Sequence, residues 1–180
     1  MKETIGGNSS WVEAAASGPT NLRRMLGNFL TGVTVVACRD KDGGTRAFTA
    51  NSFTSVSLEP PLVLVCIAAE ANSSAVFLAA NEFSISILGD EHEGLSRGLA
   101  TGGSAKEELL SKLDFEDVPF LRGGLAVIHC RKDRLIEAGD HSILVGRVVR
   151  HRTLGGRPLG YFRGNYVRAD VGTLPGGTAH

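Results

Sequence analysis

The sequence predicts a mainly antiparallel, closed β-sheet with a few short helices around it. Its apolar runs are short, rich in β-branched residues and separated by turn residues, which is typical of strands joined by tight connections. Strands and helices do not alternate regularly, so a doubly wound parallel sheet is not indicated. No Gly-x-Gly-x-x-Gly motif follows a first strand, so a nucleotide would have to be held in some other way.

Length and charge limit the classes of function. The chain has 180 residues, which predicts one domain with a sizeable core. Lys plus Arg and Asp plus Glu number 19 each, so no net field favours nucleic acid or an anionic membrane surface. We therefore expect small-molecule or protein partners, with no nucleic acid and no membrane.

The cysteines and the N-terminal residues indicate the cellular compartment. Cys38, Cys66 and Cys130 lie far apart, and neither a Cys-x-x-Cys nor a His-x-x-x-His pair occurs, so we predict buried free thiols and no metal site. The polar N-terminus lacks the apolar core of a signal peptide, and the longest apolar run, residues 62–69, is too short to span a bilayer. These features predict a cytoplasmic protein.

The domain is expected over residues 21–170, between a flexible leader at 1–20 and a flexible tail at 171–180. Leu22, Met25, Leu26 and Phe29 fall at helical spacing after a possible cap at Thr20 or Asn21. This predicts a short helix that covers one end of the core.

A β-hairpin is predicted next. Residues 33–38 are rich in β-branched side chains, and residues 45–53 form the second arm. Between them lies the turn signal Asp42-Gly43.

The stretch of residues 46–67 is where we expect a ligand. Short hydroxyl and amide side chains stand between two apolar runs, so they could give a flat ligand many hydrogen bonds and close access to the main chain. The alternative is a solvated edge strand. Pro60-Pro61 predicts a loop that enters residues 62–67, which read as a strand buried on both faces.

Further along, we predict a helix from Asn72 or Ser73 to Ala80, a half-buried strand at 83–87, and a helix at 90–100 with His92 in a solvated first turn. A helix at 105–113 and strands at 125–130, 142–149 and 158–162 complete the pattern.

Six segments in this order resemble one family. They are TGVTVVACRDKDG, FTANSFTSVSLEPPLVLVCIA, ANSSAVFLAANEFSISIL, FLRGGLAVIHC, AGDH and RPLGYFRGNY, which together run from about residue 22 to 166. They are similar to the flavin reductase-like domain family, and more narrowly to the small reductase component of two-component flavin-dependent monooxygenases.

The resemblance implies a split β-barrel of Greek-key type that forms a homodimer and binds flavin near the subunit interface. It also implies hydride transfer from NADH or NADPH to FMN or FAD. The reduced flavin would then diffuse to a separate monooxygenase component, in a transient partnership.

The resemblance also assigns binding roles. On the flavin side the matching positions are Thr49, Asn51, Ser52, Ser55, Val56, Ser57, Cys66, Ile67, Ala68, Asn72, Ser73, Gly98, Leu99 and, for a phosphate, Lys106. On the nicotinamide side they are His141, Tyr161, Phe162, Arg163 and Gly164.

Three positions depart from the family pattern. Ala47 stands where glycine is usual, so the main chain there would approach a ligand less closely. Leu99 replaces an aromatic residue and removes a possible stacking contact. Lys112 is a rival to Lys106 for the phosphate, and spacing favours Lys106.

His141 is the candidate catalytic residue, because Gly139-Asp140 could hold its ring over a cleft while Asp140 sets its tautomer. The alternative is a turn histidine that Asp140 satisfies.

Two other functions stay open. One is a flavin-binding electron carrier or sensor without NAD(P)H turnover. The other is a split-barrel enzyme that keeps FMN bound and oxidises another substrate, as pyridoxamine phosphate oxidases do. The sequence displays no basic cluster suited to a substrate phosphate, which argues against the latter.

Overall fold

The computed structural model describes residues 11–101, 105–110, 113–115 and 118–169. Its α-helices are α1 (Ala14–Leu26), α2 (Ser74–Ala79), α3 (Glu93–Thr101) and α4 (Ala105–Leu110), and a 3-10 turn at Asp90–His92 precedes α3. The strands are β1 (Thr31–Gly32), β2 (Thr34–Arg39), β3 (Thr45–Ala50), β4 (Thr54–Leu58), β5 (Pro61–Ala68), β6 (Glu82–Ile87), β7 (Leu113–Phe115), β8 (Pro119–Leu121), β9 (Ala126–Ala138), β10 (His141–Thr153), β11 (Leu159–Phe162) and β12 (Asn165–Arg168).

A seven-stranded sheet with the order β3-β2-β6-β9-β10-β5-β4 forms the body of the molecule. A second sheet has the order β1-β11-β12, and β7 pairs with β8. The pairings within all three sheets are antiparallel. The mainly antiparallel fold predicted from the sequence is therefore confirmed.

The β2–β3 hairpin also follows the prediction. Gly43 has a φ of 81°, which glycine adopts without strain. One Asp40 carboxylate oxygen accepts hydrogen bonds from the main-chain N–H groups of Gly44 at 2.7 Å and Asp42 at 3.0 Å, and the other pairs with Arg46 at 3.0 Å. The turn is thus held by a carboxylate as well as by its glycines.

The core lies on both faces of β2. Val36 and Cys38 belong to one buried cluster, with Phe77 of α2 and Phe83 of β6. Val35 and Ala37 face a second buried cluster, which includes Leu99 of α3 and Leu159 of β11. Because a strand directs successive side chains to opposite faces, β2 serves both clusters.

Strand β6 is buried on both faces, so the prediction of a half-buried strand is wrong. The Ser84 and Ser86 side chains are covered by the β7–β8 hairpin and are fully buried. Ser84 donates its hydroxyl to the Pro119 carbonyl, and the Leu121 N–H donates to the Ser86 hydroxyl at 3.0 Å. Polar residues at alternate positions here mark a buried hydrogen-bonded face rather than a solvated one.

Helix α1 does not cover the core, so that prediction is wrong. It begins at Ala14, earlier than the predicted Asn21, and it breaks at Gly18, where φ is 69°. None of its residues is buried, and Met25 and Leu26 are 56% and 59% exposed. Phe29, just after the helix, is 76% exposed. The helix predicted from the apolar spacing is present, but its apolar face packs against no other element of the described chain.

Several boundaries differ from the predicted ones. The β9 and β10 strands, at 13 residues each, extend well beyond the predicted runs, and β12 was not predicted. Helix α4 ends at Leu110, before the predicted 113. His92 is not in a solvated turn, because its side chain is 14% exposed and its Nδ1 accepts from the Gly89 N–H at 3.3 Å. The predicted flexible tail and residues 1–10 of the leader lie outside the described residues, and the leader's flexibility stays a prediction.

Within the described part of the chain, no helix is both long enough and apolar enough to cross a membrane.

Candidate functional site

A cavity of about 440 Å³ opens where β3 and β5 separate. Its volume lies in the usual range for small-molecule sites, roughly 300–1,000 Å³. The residues that line it are Phe48, Thr49, Ala50, Asn51, Ser52, Cys66, Ile67, Ala68, Ala71, Asn72, Ser73, Leu99, Ala100 and His141. We call it the main cavity.

The separation of β3 and β5 is bridged by a side chain. The two strands are not neighbours in the seven-stranded sheet. Instead, the Cys66 N–H of β5 donates to the Ser52 hydroxyl at 2.9 Å, just beyond the end of β3. The hydroxyl replaces a main-chain partner, and it holds the loop against β5 without closing the gap.

Helix α3 supplies the opposite wall. The Thr49 hydroxyl donates to the Ser96 carbonyl at 3.0 Å, and the Ser96 hydroxyl lies 2.9 Å from that of Tyr166. Arg97 lies over the Tyr166 ring, with its guanidinium 5.0 Å from the ring centre. These contacts connect β3, α3 and β12, so the wall is built from three distant parts of the sequence.

His141 stands at the rim of the main cavity. It is the first residue of β10, pairs with Ala68, and follows a turn in which Gly139 has a φ of 64°. Its Nδ1 lies 2.8 Å from an Asp140 carboxylate oxygen. The hydrogen bond with His141, followed by the imidazole charge, lowers the pKa of Asp140 below its usual value. The Asp140 contact can fix the ring while the other nitrogen stays available to a ligand.

A smaller cavity of about 190 Å³ adjoins the main one. Thr49, Asn51 and Ala100 line both cavities. Tyr161 and Tyr166 complete the smaller one, with ring centres 5.3 Å apart in an edge-to-face arrangement. Two ligand groups in these cavities would therefore lie close to each other.

The structure brings many of the predicted residues together at the main cavity: Thr49, Asn51, Ser52, Cys66, Ile67, Ala68, Asn72, Ser73, Leu99 and His141. Sequence reasoning did not include four further lining residues, Phe48, Ala50, Ala71 and Ala100. Phe48, Ala50 and Ala71 adjoin predicted positions. Ala100 follows Leu99 on α3, and nothing in its residue type marked it.

Other predicted residues do not line the main cavity. Ser55, Val56 and Ser57 lie on the edge strand β4, and the Val56 side chain is 49% exposed. Gly98 faces α4, where an added Cβ would collide with the Leu109 side chain. Lys106 falls in α4, but its side chain and the whole of Lys112 lie outside the described residues.

The nicotinamide-side residues divide between two places. Tyr161 lines the smaller cavity, while Arg163 and Gly164 line a third cavity of about 590 Å³ beside α1. Phe162 lines neither, and the Arg163 guanidinium lies 5.2 Å from its ring centre. Arg23 and Arg24 also line the third cavity, so three arginines from distant parts of the sequence lie together there.

Two of the three departures from the family pattern, Ala47 and Leu99, have structural explanations. Ala47 is fully buried in the second core cluster and does not line the main cavity, so its methyl group does not restrict a ligand there. Leu99 is 2% exposed and packs in the same cluster. It contributes an apolar surface to the cavity wall rather than a stacking ring.

The chemistry of the main cavity is that of a binding site. Its side chains are hydroxyl, amide and apolar groups, with one imidazole at the rim. Among the described residues, no cluster of His, Cys, Asp and Glu is suited to a metal ion. Such an arrangement can hold and orient a flat ligand with hydrogen-bonding edges, and the reactivity would come from that ligand.

The sequence profile of the family described as "Flavin reductase like domain" matches residues 26–170. The stachydrine N-demethylase reductase subunit of Rhizobium meliloti is 38% identical over 164 residues, which cover 89% of this chain and 70% of the relative. The reductase component of the flavin-dependent trigonelline monooxygenase of Acinetobacter baylyi is 40% identical over 147 residues and 81% of this chain. This chain spans 47% of that relative's length.

Solved structures agree with the sequence comparison. The NADH:FAD oxidoreductase of Streptomyces globisporus, in complex with NAD and FAD fragments, has a TM-score of 0.81 and 31% identity. The match covers 92% of this chain and 100% of that one. The predicted fold class is therefore confirmed.

Proposed function

Because this chain belongs to the flavin reductase-like domain family, we propose that it is an NAD(P)H-dependent flavin reductase. It binds FMN or FAD in the main cavity and NADH or NADPH beside it. The observation that carries this proposal is the wall of Thr49, Asn51 and Ala100 shared by the two adjacent cavities. Hydride transfer needs two flat rings in contact. Cavities that share three lining residues support this by placing two ligands close together.

The residues of the main cavity fit a flavin. Thr49, Asn51 and Ser52 bring hydroxyl and amide groups suited to the polar edge of a flat ring system. Phe48, Ile67 and Leu99 provide apolar surface for the rest of it. Asn72 and Ser73, which line this cavity just before α2, would serve the ribityl or phosphate oxygens. For the phosphate itself we propose Lys106 ahead of Lys112.

In the mechanism, the flavin supplies the hydride-accepting chemistry. The chain binds the ring, orients it and limits water around it. Ser52 is held by the Cys66 N–H, and Thr49 by the Ser96 carbonyl, so these contacts are already in place before a ligand enters. Such preorganised groups favour transfer because little rearrangement is needed at the moment of reaction.

His141 serves the nicotinamide cofactor in this proposal. The Nδ1 contact with Asp140 orients the ring, so Nε2 can hydrogen-bond a carboxamide or, with the ring protonated, a phosphate oxygen. Tyr161 and Tyr166 form the other side of the smaller cavity. These groups hold the hydride donor, and no protein group need exchange a proton in that step.

The reduced flavin then diffuses to a separate monooxygenase component. Two curated relatives carry names that describe reductase parts of such systems, which supports this partnership. The alternative function is a flavin-binding electron carrier that does not oxidise NAD(P)H. The NADH assay described below distinguishes the two.

We also infer that the protein is a homodimer in the cytoplasm. Met25, Leu26 and Phe29 on or beside α1, and Leu58 on the edge strand β4, expose apolar side chains that a second copy could cover. The three cysteines are free, and Cys38 and Cys130 are buried, as suits a reducing compartment.

The proposal is tested by following NADH absorbance after addition of FMN or FAD to the purified protein. We expect oxidation that depends on both the protein and the flavin, and gel filtration with flavin distinguishes a retained cofactor from a diffusing substrate. Flavin binding with no loss of NADH or NADPH absorbance would instead support an electron carrier or sensor.

A further inference from the structure

The third cavity is a basic site formed by two segments far apart in the sequence. Arg23 and Arg24 come from the last turn of α1, and Arg163 comes from the turn between β11 and β12. Three arginines thus line one cavity of about 590 Å³. None of the three forms an ion pair with a carboxylate of the described residues. Their charges are therefore available to an anion from solution.

The turn that carries Arg163 is anchored firmly to α1. The Arg163 N–H donates to the Gly27 carbonyl at 2.8 Å, and its Nε donates to the Asn28 side-chain oxygen at 2.8 Å. Arg163 also has a φ of 48°, a left-handed conformation that non-glycine residues adopt infrequently. These contacts hold the β11–β12 turn beside the helix end, so the cavity has a defined shape rather than being a loose surface patch.

Arg163 connects this cavity to the smaller one. Tyr161, which lines the smaller cavity, lies two residues before Arg163 on the same hairpin, or about 7 Å along an extended strand.

The third cavity is also related to the rim of the main cavity, where Asp140 contacts His141. The positive charge of Arg23 helps to lower the pKa of Asp140, after the larger effects of the neighbouring His141. Arg23 therefore lies close enough to Asp140 to act on it, and Asp140 holds His141. Arg163, through the chain, and Arg23, through its charge, thus link the third cavity to residues of the other two.

We propose that Arg23, Arg24 and Arg163 bind the phosphate groups of the nicotinamide dinucleotide while its nicotinamide ring occupies the smaller cavity. This inference rests on the proposed flavin reductase function. Planar guanidinium groups suit phosphate oxygens because they donate paired, charge-assisted hydrogen bonds. A dinucleotide carries its phosphates at a distance from its nicotinamide ring. This suits a pair of cavities in which Arg163 of the third cavity lies two residues after Tyr161 of the smaller cavity.

The test compares two hydride donors on the purified protein with FMN as acceptor. NADH carries the pyrophosphate, whereas 1-benzyl-1,4-dihydronicotinamide has no phosphate. The principal variant is Arg24→Gln, because the described structure gives the Arg24 side chain no hydrogen bond to disturb. Lys41→Gln is the control, because it also removes one positive charge. Lys41 lies in the β2–β3 turn, whereas the second sheet begins with β1 at the other end of β2.

We expect Arg24→Gln to raise the KM for NADH about fivefold to tenfold, the range for losing one partly solvated charge-assisted contact. The kcat for NADH, and all constants for the benzyl donor, should stay within about twofold. Lys41→Gln should resemble the wild type. An unchanged KM for NADH, an equal change for both donors, or a rise in the KM for FMN alone would overturn the proposal.

A direct binding measurement tests the phosphate site independently of whether the protein is a reductase. ADP-ribose carries the pyrophosphate without nicotinamide, and its affinity can be measured by calorimetry whether or not the protein turns over. We expect weaker binding to Arg24→Gln than to the wild type or Lys41→Gln, and equal affinities for all three would also overturn the proposal. A wild type that transfers hydride from neither donor would refute the reductase function instead.

Discussion

The Ser52 hydroxyl and the Cys66 N–H are joined by a 2.9 Å hydrogen bond across the gap between β3 and β5. In a continuous sheet the Cys66 N–H would pair with a neighbouring strand. A side chain takes that place here, and the main cavity occupies the space that strand pairing would have closed. The split in the sheet and the main cavity are therefore the same feature.

Replacement of Ser52 by Ala should affect both stability and flavin binding. The Cys66 N–H would lose its partner, and we expect a loss of about 0.5–1.5 kcal/mol in the free energy of unfolding, together with weaker flavin binding. Chemical denaturation and a flavin titration measure these effects. Ser55→Ala, at an exposed position on β4, is the control. Similar losses in both variants would contradict a specific role for Ser52.

His141→Ala should impair use of the nicotinamide cofactor more than it impairs flavin binding. We expect a higher KM for NAD(P)H or a lower kcat, because in our proposal the imidazole, oriented by Asp140, holds the hydride donor. The flavin dissociation constant should stay within about twofold, which corresponds to under ~0.5 kcal/mol. Steady-state kinetics and a flavin titration separate the two effects. A collapse of flavin affinity with normal hydride transfer in the residual complex would assign His141 to the flavin.

Cys66 should be the most reactive thiol of the native protein. Burial raises the pKa of Cys38 and of Cys130 to about 12, so both stay protonated and shielded at pH 8. Cys66 lines the main cavity and is only partly buried. We expect one fast-reacting thiol per chain with a chromogenic disulfide reagent, and slower reaction with FMN present. The Cys66→Ala variant serves as the control, and fast labelling that persists in it would refute the assignment.

Asp40 should contribute to stability in a pH-dependent way. Its pKa lies below the ordinary 3.8, chiefly because the Gly44 N–H donates to it, and also through Asp42 and Arg46. A lowered folded-state pKa gives stability that is complete above the unfolded-state pKa and is lost as the pH falls through the folded-state value. Asp40→Asn should therefore show a shallower loss of stability below about pH 4 than the wild type. Thermal unfolding between pH 2 and 7 measures this, with Asp42→Asn as the charge-matched control; equal acid profiles for wild type and Asp40→Asn would contradict it.

The homodimer proposal predicts a mass of about twice 19.0 kDa in solution. Leu26→Glu places a charge on the exposed apolar face of α1 and should weaken association if a second copy covers that face. Light scattering at micromolar concentration measures both. A monomeric wild type would refute the dimer, while a fully dimeric Leu26→Glu variant would move the interface away from α1.

Local patterns allowed much of the fold to be predicted from the sequence. The Asp42-Gly43 turn between β-branched runs specified the β2–β3 hairpin, because turn geometry and strand preference act within a few residues. The apolar run of residues 62–67 likewise indicated β5, but the prediction that both faces are buried is wrong, because only the face of Val63, Val65 and Ile67 is fully buried. Short polar side chains after β3 identified one wall of the main cavity, since their chemistry is visible without knowing the fold.

The tertiary structure decided what depends on contacts between distant residues. Local patterns could not tell that Ser84 and Ser86 would be covered by the β7–β8 hairpin, or that the apolar face of α1 would remain exposed. Ala100 lines the main cavity only because α3 packs beside β3. Arg23 and Arg163 share a cavity because the β11–β12 turn docks on the end of α1. Burial and charge clustering depend on which elements meet in space, and that is a property of the whole chain.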